Sequence, residues 1–178
     1  MIFRRFHIGL LFLFISSLFV IASETNEKQI ETKRSGYWTY YCKNYEKERQ
    51  CEIARKINMK EQNETFLIIY KITKDINSKV KESLNIMTPS TTRVNIKKRL
   101  KISFDDKTKF TRSFLECEET SCLAVFKSSK ILKYSMKNFN KITIIFYGFE
   151  DEEPISFTLL MDGFTQALDD INQQLKSF

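Results

Sequence analysis

Two closely spaced pairs of cysteines, Cys42 with Cys51 and Cys117 with Cys122, follow an apolar N-terminus, and this arrangement most limits what the chain can fold into. Arg4 and Arg5 precede the apolar run Ile8–Ile21, and Val20-Ile21-Ala22 places small residues where a signal peptidase cuts. The run is shorter than the roughly 20 residues a spanning helix requires. Residues 1–22 therefore read as a cleaved signal peptide, with cleavage after Ala22, and no transmembrane segment is expected once it is removed. The cysteines then mature in a compartment that permits disulfides. Four cysteines allow three pairings. Eight residues lie between the first two and four between the last two, which favours local bridges of about 2–3 kcal/mol each. A structural zinc site fits less well, because its ligands usually come in tighter Cys-x2-Cys pairs.

Beyond the signal, residues 23–35 are polar and charged and read as a flexible leader, leaving 36–178 as a single domain. The composition, 42% hydrophobic with 13% aromatic, is enough for a true core. Alternation begins at Gly36: Tyr37, Thr39 and Tyr41 face one way, Trp38, Tyr40 and Cys42 the other. A charged loop over 43–50 and a return strand over 51–57 follow. Thr65–Ile72 is apolar on both faces, as a central strand is. Residues 74–81 read as a hairpin connection and 83–87 as its return.

In residues 93–104, Val94, Ile96, Leu100, Ile102 and Phe104 share one parity, interrupted only by Lys98. Arg93, Lys97, Arg99 and Lys101 share the other, predicting a strand with an apolar inner face and a basic outer stripe. Asp105-Asp106 makes a turn, 123–126 another strand and 131–136 a short helical turn. Residues 141–149 and 155–161 pair across an acidic turn. The clear helix is the last element, where Phe164, Ala167, Leu168, Ile171 and Leu175 form one apolar stripe. Asp162 or Thr165 is the expected cap. The fold class predicted is all-β: an antiparallel β-sandwich with two local disulfides, closed by one C-terminal α-helix.

The chemistry open to this sequence is narrow. Its one histidine is His7, inside the signal segment, so the mature chain has none. That excludes a Ser-His-Asp triad, a Cys-His dyad and histidine-ligated zinc. Gly36, Gly148 and Gly163 are too far apart for a phosphate-binding loop. A carboxylate-dependent hydrolase remains as an alternative. However, Asp105-Asp106, Glu116/Glu118/Glu119, Glu150–Glu153 and Asp169-Asp170 all fall in turns or on a wet helix face, where charge is simply solvated. Glu150–Glu153 lacks the ordered ligand spacing of a calcium loop. No catalytic residue, cofactor or metal is expected.

The net charge of +7 loses two with the signal peptide. The stripe Arg93, Lys97, Arg99 and Lys101 reads either as an edge guard against strand-to-strand aggregation or as a contact for an anionic envelope or surface partner. An exported chain has no evident call for nucleic acid. A strand edge lent to a partner, in the manner of a chaperone, is a further alternative. Asn63-Glu64-Thr65 matches a glycosylation sequon, relevant only in a eukaryotic secretory pathway.

The ordered set Gly36-Tyr37-Trp38 with Cys42 and Cys51, the strand before Pro89, Phe114-x-x-Cys117, Ser121-Cys122-x-Ala124 and Gly163-Phe164-x-x-Ala167-Leu168 resembles the invasion-associated locus B family over residues 36–171. The resemblance implies an exported β-sandwich with bridges Cys42–Cys51 and Cys117–Cys122. It also implies a periplasmic or outer-surface location in a Gram-negative bacterium. The family is named for a role in host-cell invasion and defines no catalytic residues to carry over. The sequence departs from the family pattern at Ser121, where glycine is usual, and in the segment after Pro89, where the family's glycines are replaced by Thr91, Thr92, Lys97 or Lys98.

Overall fold

The computed structural model describes residues 31–59, 64–89, 94–118, 121–148 and 153–177. The expected signal peptide, Asn63, Arg93 and Glu150–Glu152 lie outside them. Among the described residues, eleven strands and two helices run in the order β1 (Lys33–Ser35), β2 (Trp38–Asn44), β3 (Glu48–Met59), β4 (Glu64–Asp75), β5 (Val80–Pro89), β6 (Leu100–Phe104), β7 (Thr108–Arg112), β8 (Glu116–Cys117), β9 (Ser121–Lys127), α1 (Lys130–Asn138), β10 (Lys141–Tyr147), β11 (Pro154–Leu160) and α2 (Phe164–Lys176).

All pairings are antiparallel. One sheet has seven strands in the order β1-β2-β3-β4-β5-β9-β8, and the other has four in the order β11-β10-β6-β7. The doubly apolar segment Thr65–Ile72 lies in β4, the middle strand of the larger sheet. Its inward residues Phe66, Ile68, Tyr70 and Ile72 are fully buried. The smaller sheet covers one end of this inner face through Phe66, whose ring lies 5.0 Å from Phe157 and 5.4 Å from Phe146. Helix α2 covers the other end, with Phe164 between Trp38 and Tyr70 at 5.2 and 5.6 Å. One face of the large sheet thus serves the core, and the other is left half-exposed.

Both disulfides close locally: Cys42–Cys51 staples β2 to β3, and Cys117–Cys122 staples β8 to β9, each joining residues directly opposite in register. The hairpin of β10 and β11 also forms as predicted.

Several expectations are corrected. The segment read as leader ends in structure, since Lys33–Ser35 pairs with Trp38–Tyr40. The loop expected over 43–50 shortens because β2 runs to Asn44 and β3 starts at Glu48. The 74–81 connection shortens likewise to a turn anchored by Asp75, whose carboxylate accepts from the amides of Asn77 and Lys79. The helical turn at 131–136 is a nine-residue helix, capped by the Ser129 hydroxyl, which accepts from the Leu132 amide at 3.1 Å.

Neither Asp162 nor Thr165 caps α2. Gly163 occupies the cap position with φ 84°, and the Thr165 hydroxyl donates instead to the Lys137 carbonyl. Gly163 is there because the chain is too crowded for a side chain. A Cβ on it would fall 2.1 Å from the Ser35 oxygen and 2.6 Å from the Gly36 nitrogen. Gly36 itself has φ 54°, and its own Cβ would meet the Asp162 oxygen at 2.6 Å. The two glycines let the β1–β2 turn touch the start of α2. Gly163→Ala is expected to cost about 1–3 kcal/mol from the left-handed backbone alone, with the backbone clash adding to it. A urea midpoint equal to that of wild type would contradict this contact.

Candidate functional site: a lysine-lined groove on the outer sheet face

The basic stripe predicted on one strand does not form as such. Val94 makes an isolated bridge to Gly148, and Asn95 then turns the chain, its side-chain oxygen accepting from the Lys97 amide at 3.2 Å and its carbonyl from Lys98 at 3.0 Å. Lys97 lies on this exposed turn and Arg99 just after it, while Lys101 lies on strand β6. The lone break in the parity, Lys98, was the sign of the turn; its ammonium sits 4.2 Å from the centre of the Tyr147 ring. Beside β6, the edge strand β7 exposes Lys109 and Arg112, which suits a guarded edge better than one offered to a partner.

A different basic surface is built on the outer face of the seven-stranded sheet. Register places Lys71 of β4 opposite Ser83 of β5, and Ser83 opposite Lys127 of β9. One step toward the sheet end, Lys81 stands opposite Thr73. Lys130, the first residue of α1, adds a fourth ammonium over the same hollow. Together they line a groove of about 950 Å³. Residues at alternate positions of a strand share a face, so Lys71, Lys81 and Lys127 project from the side that the core does not use.

Two carboxylates stand at the groove, Glu82 on its lining and Glu52 beside it, and neither pairs with these four lysines. Glu82 accepts from Lys133 at 2.5 Å, from the Tyr70 hydroxyl at 3.0 Å and from the Ser128 hydroxyl at 3.1 Å, tying β4, β5 and α1 together. Glu52, opposite Lys71 on β3, accepts from Tyr41 and from Gln50, both at 2.7 Å. Among the described residues, Lys71, Lys81, Lys127 and Lys130 make no ion pair. The groove therefore carries a net positive charge, five lysines including Lys133 against Glu82 on its lining, with Glu52 beside Lys71.

The tyrosines near these carboxylates are proton donors held in structural bonds. The hydrogen bond to Asp170 pushes the Tyr40 hydroxyl up to about 12, and burial pushes Tyr41 up to about 12. Burial raises Tyr70 further, with Glu82 adding to the effect. Stability supplied by Tyr40 is present below its ordinary value near 10 and is lost as pH rises from about 10 to about 12. Denaturant midpoints should fall across that window, less steeply in Tyr40→Phe; parallel slopes would contradict the Tyr40–Asp170 bond.

The carboxylate clusters that the hydrolase alternative would require are dispersed. Asp105 accepts from the amides of Asn140 and Lys141, while Asp106, Glu116, Glu118, Glu153 and Asp169 are exposed. Sequence reasoning missed the groove because its lysines come from four separate elements. The available signal was that Leu67 and Ile69 make β4 apolar on its outward side as well.

Two packed antiparallel sheets, the larger with two hairpins each locked by a disulfide, and a C-terminal helix plugging one end define the class: a disulfide-stapled β-sandwich. The sequence profile described as "Invasion associated locus B (IalB) protein" matches residues 38–172, and the chain belongs to that family. In fold it is similar to the crystal structure of invasion associated protein B from Bartonella henselae, with a TM-score of 0.69 and 17% identity over 83% of this chain and 98% of that one. A comparison with curated proteins finds no match.

Proposed function

We propose that the chain is an exported, non-enzymatic interaction module of the bacterial envelope, acting in the periplasm or at the outer surface, and that it binds an anionic partner through the outer face of the seven-stranded sheet. The groove carries this reading: four lysines without carboxylate partners surround a hollow on a sheet face that the core leaves free. Such a patch raises the local concentration of anions and guides their approach. Family membership and two disulfides suited to an oxidising compartment support export. Among the described residues no helix is long and apolar enough to cross a membrane.

The reading is tested in two measurements. The mass of the protein recovered from the envelope fraction should correspond to loss of residues 1–22 with no free thiol; a full-length cytoplasmic product would overturn export. On a heparin column, Lys71→Ser/Lys127→Ser should elute at clearly lower salt than wild type. Coincident elution would remove the groove as the working surface.

A further inference from the structure

The groove is one end of a longer amphipathic track. Following β4 away from Lys71, the next outward residues are Ile69 and Leu67; following β9 away from Lys127, they are Val125 and Leu123. Between them on β5 stand Ser83, Asn85 and Met87. At about 3.4 Å per residue, the apolar strip extends roughly 14 Å from the lysine row, and at about 4.8 Å per strand it is roughly 10 Å wide. Leu67, Ile69, Met87, Leu123 and Val125 are all only partly buried. A solvent-facing sheet side ordinarily alternates to polar residues, so an apolar strip running into a lysine cluster calls for an amphiphilic occupant.

We infer that this face binds an acidic lipid, with the phosphate held among Lys71, Lys81, Lys127 and Lys130 and the acyl chain lying along Ile69, Leu67, Val125 and Leu123. The inference rests on the proposed working surface and names its ligand class. The groove volume of about 950 Å³ falls within the roughly 300–1,000 Å³ of ligand clefts. Charge complementarity selects the occupant. A second copy of the chain docked through this face would bring two net-positive lysine clusters into one interface, and juxtaposed like charges penalise such pairing. A soluble phosphate would fill the lysine row but leave the apolar strip in water.

The test is co-sedimentation of the full chain, exported and oxidised, with vesicles of phosphatidylcholine with and without phosphatidic acid, beside a titration with inorganic pyrophosphate. The protein should partition onto the acidic vesicles and not onto pure phosphatidylcholine. Lys71→Ser/Lys127→Ser should weaken vesicle binding about 30-fold, as expected for two lysines at an anionic surface, and should weaken pyrophosphate binding as well. Ile69→Thr/Leu123→Thr keeps strand-compatible residues and should weaken vesicle binding while leaving pyrophosphate binding unchanged. Unchanged melting temperatures for both variants confirm that they fold.

The inference is overturned if acidic vesicles bind no better than neutral ones, or if the strip variant partitions like wild type, which would reduce the site to simple charge attraction. Self-association lost in the strip variant, without vesicle binding, would assign the face to a second copy instead. In each of these outcomes, persistent salt-dependent heparin binding through the groove leaves the broader proposed function standing.

Discussion

Replacing Phe164 with alanine is expected to lower folding stability by about 3–5 kcal/mol. The ring is fully buried at the first residue of α2 and meets two aromatic rings edge-on, Trp38 at 5.2 Å and Tyr70 at 5.6 Å. Those partners belong to β2 and β4, so one side chain fastens the helix to two strands of the large sheet. Its removal loses the transfer free energy of the ring and leaves a cavity that these rigid neighbours cannot fill. Total stability for a domain is about 5–15 kcal/mol, so the loss is a large share of it. Phe164→Leu should lose less, because it keeps part of the volume. Urea denaturation followed by tryptophan fluorescence is well suited to the measurement, since Trp38 is the only tryptophan and touches the ring. An unchanged midpoint would mean that α2 is not docked through this contact.

The second large effect is expected at the Cys42–Cys51 bridge. The two residues face each other across β2 and β3, with Cα atoms 4.1 Å apart, and Cys51 is fully buried against the core. Cys42→Ala/Cys51→Ala should cost about 2–5 kcal/mol. Alanine is preferred to serine because a hydroxyl at position 51 would be buried without a partner. The Cys117–Cys122 bridge should contribute less. It closes a sequence separation of 5 rather than 9, and Cys117 is exposed on the two-residue strand β8. Thermal unfolding with and without dithiothreitol checks the ranking. If reduction leaves the melting temperature unchanged, the bridges do not stabilise this fold.

Much of the fold was legible because its long strands obey the period of two and its last helix the period of 3.6. Trp38, Tyr40 and Cys42, the doubly apolar β4, the β10–β11 hairpin and the stripe from Phe164 to Leu175 all appear in the sequence as they do in the structure. The short edge strands were not legible. β7, Thr108–Arg112, alternates no apolar residues strongly enough to register, and β1 and β8 are defined by their neighbours rather than by their own pattern. The stripe from Arg93 to Lys101 misled because the turn that begins at Asn95 preserves parity by coincidence. The groove was invisible for a different reason. Lys71 and Lys127 lie far apart in sequence, and only the registers of β4 with β5 and of β5 with β9 place them on either side of Ser83.

That registration also connects fold to function. The inner face of the large sheet is filled by the small sheet and α2, so the proposed binding falls to the outer face. Titration of short-chain phosphatidic acid into the isotope-labelled protein, followed by amide chemical shifts, tests this most directly. The account predicts that shifts concentrate at Lys71, Ser83 and Lys127 and continue to Ile69 and Val125. Shifts confined to the turn of Lys97 and Arg99, or scattered over the surface, would contradict it.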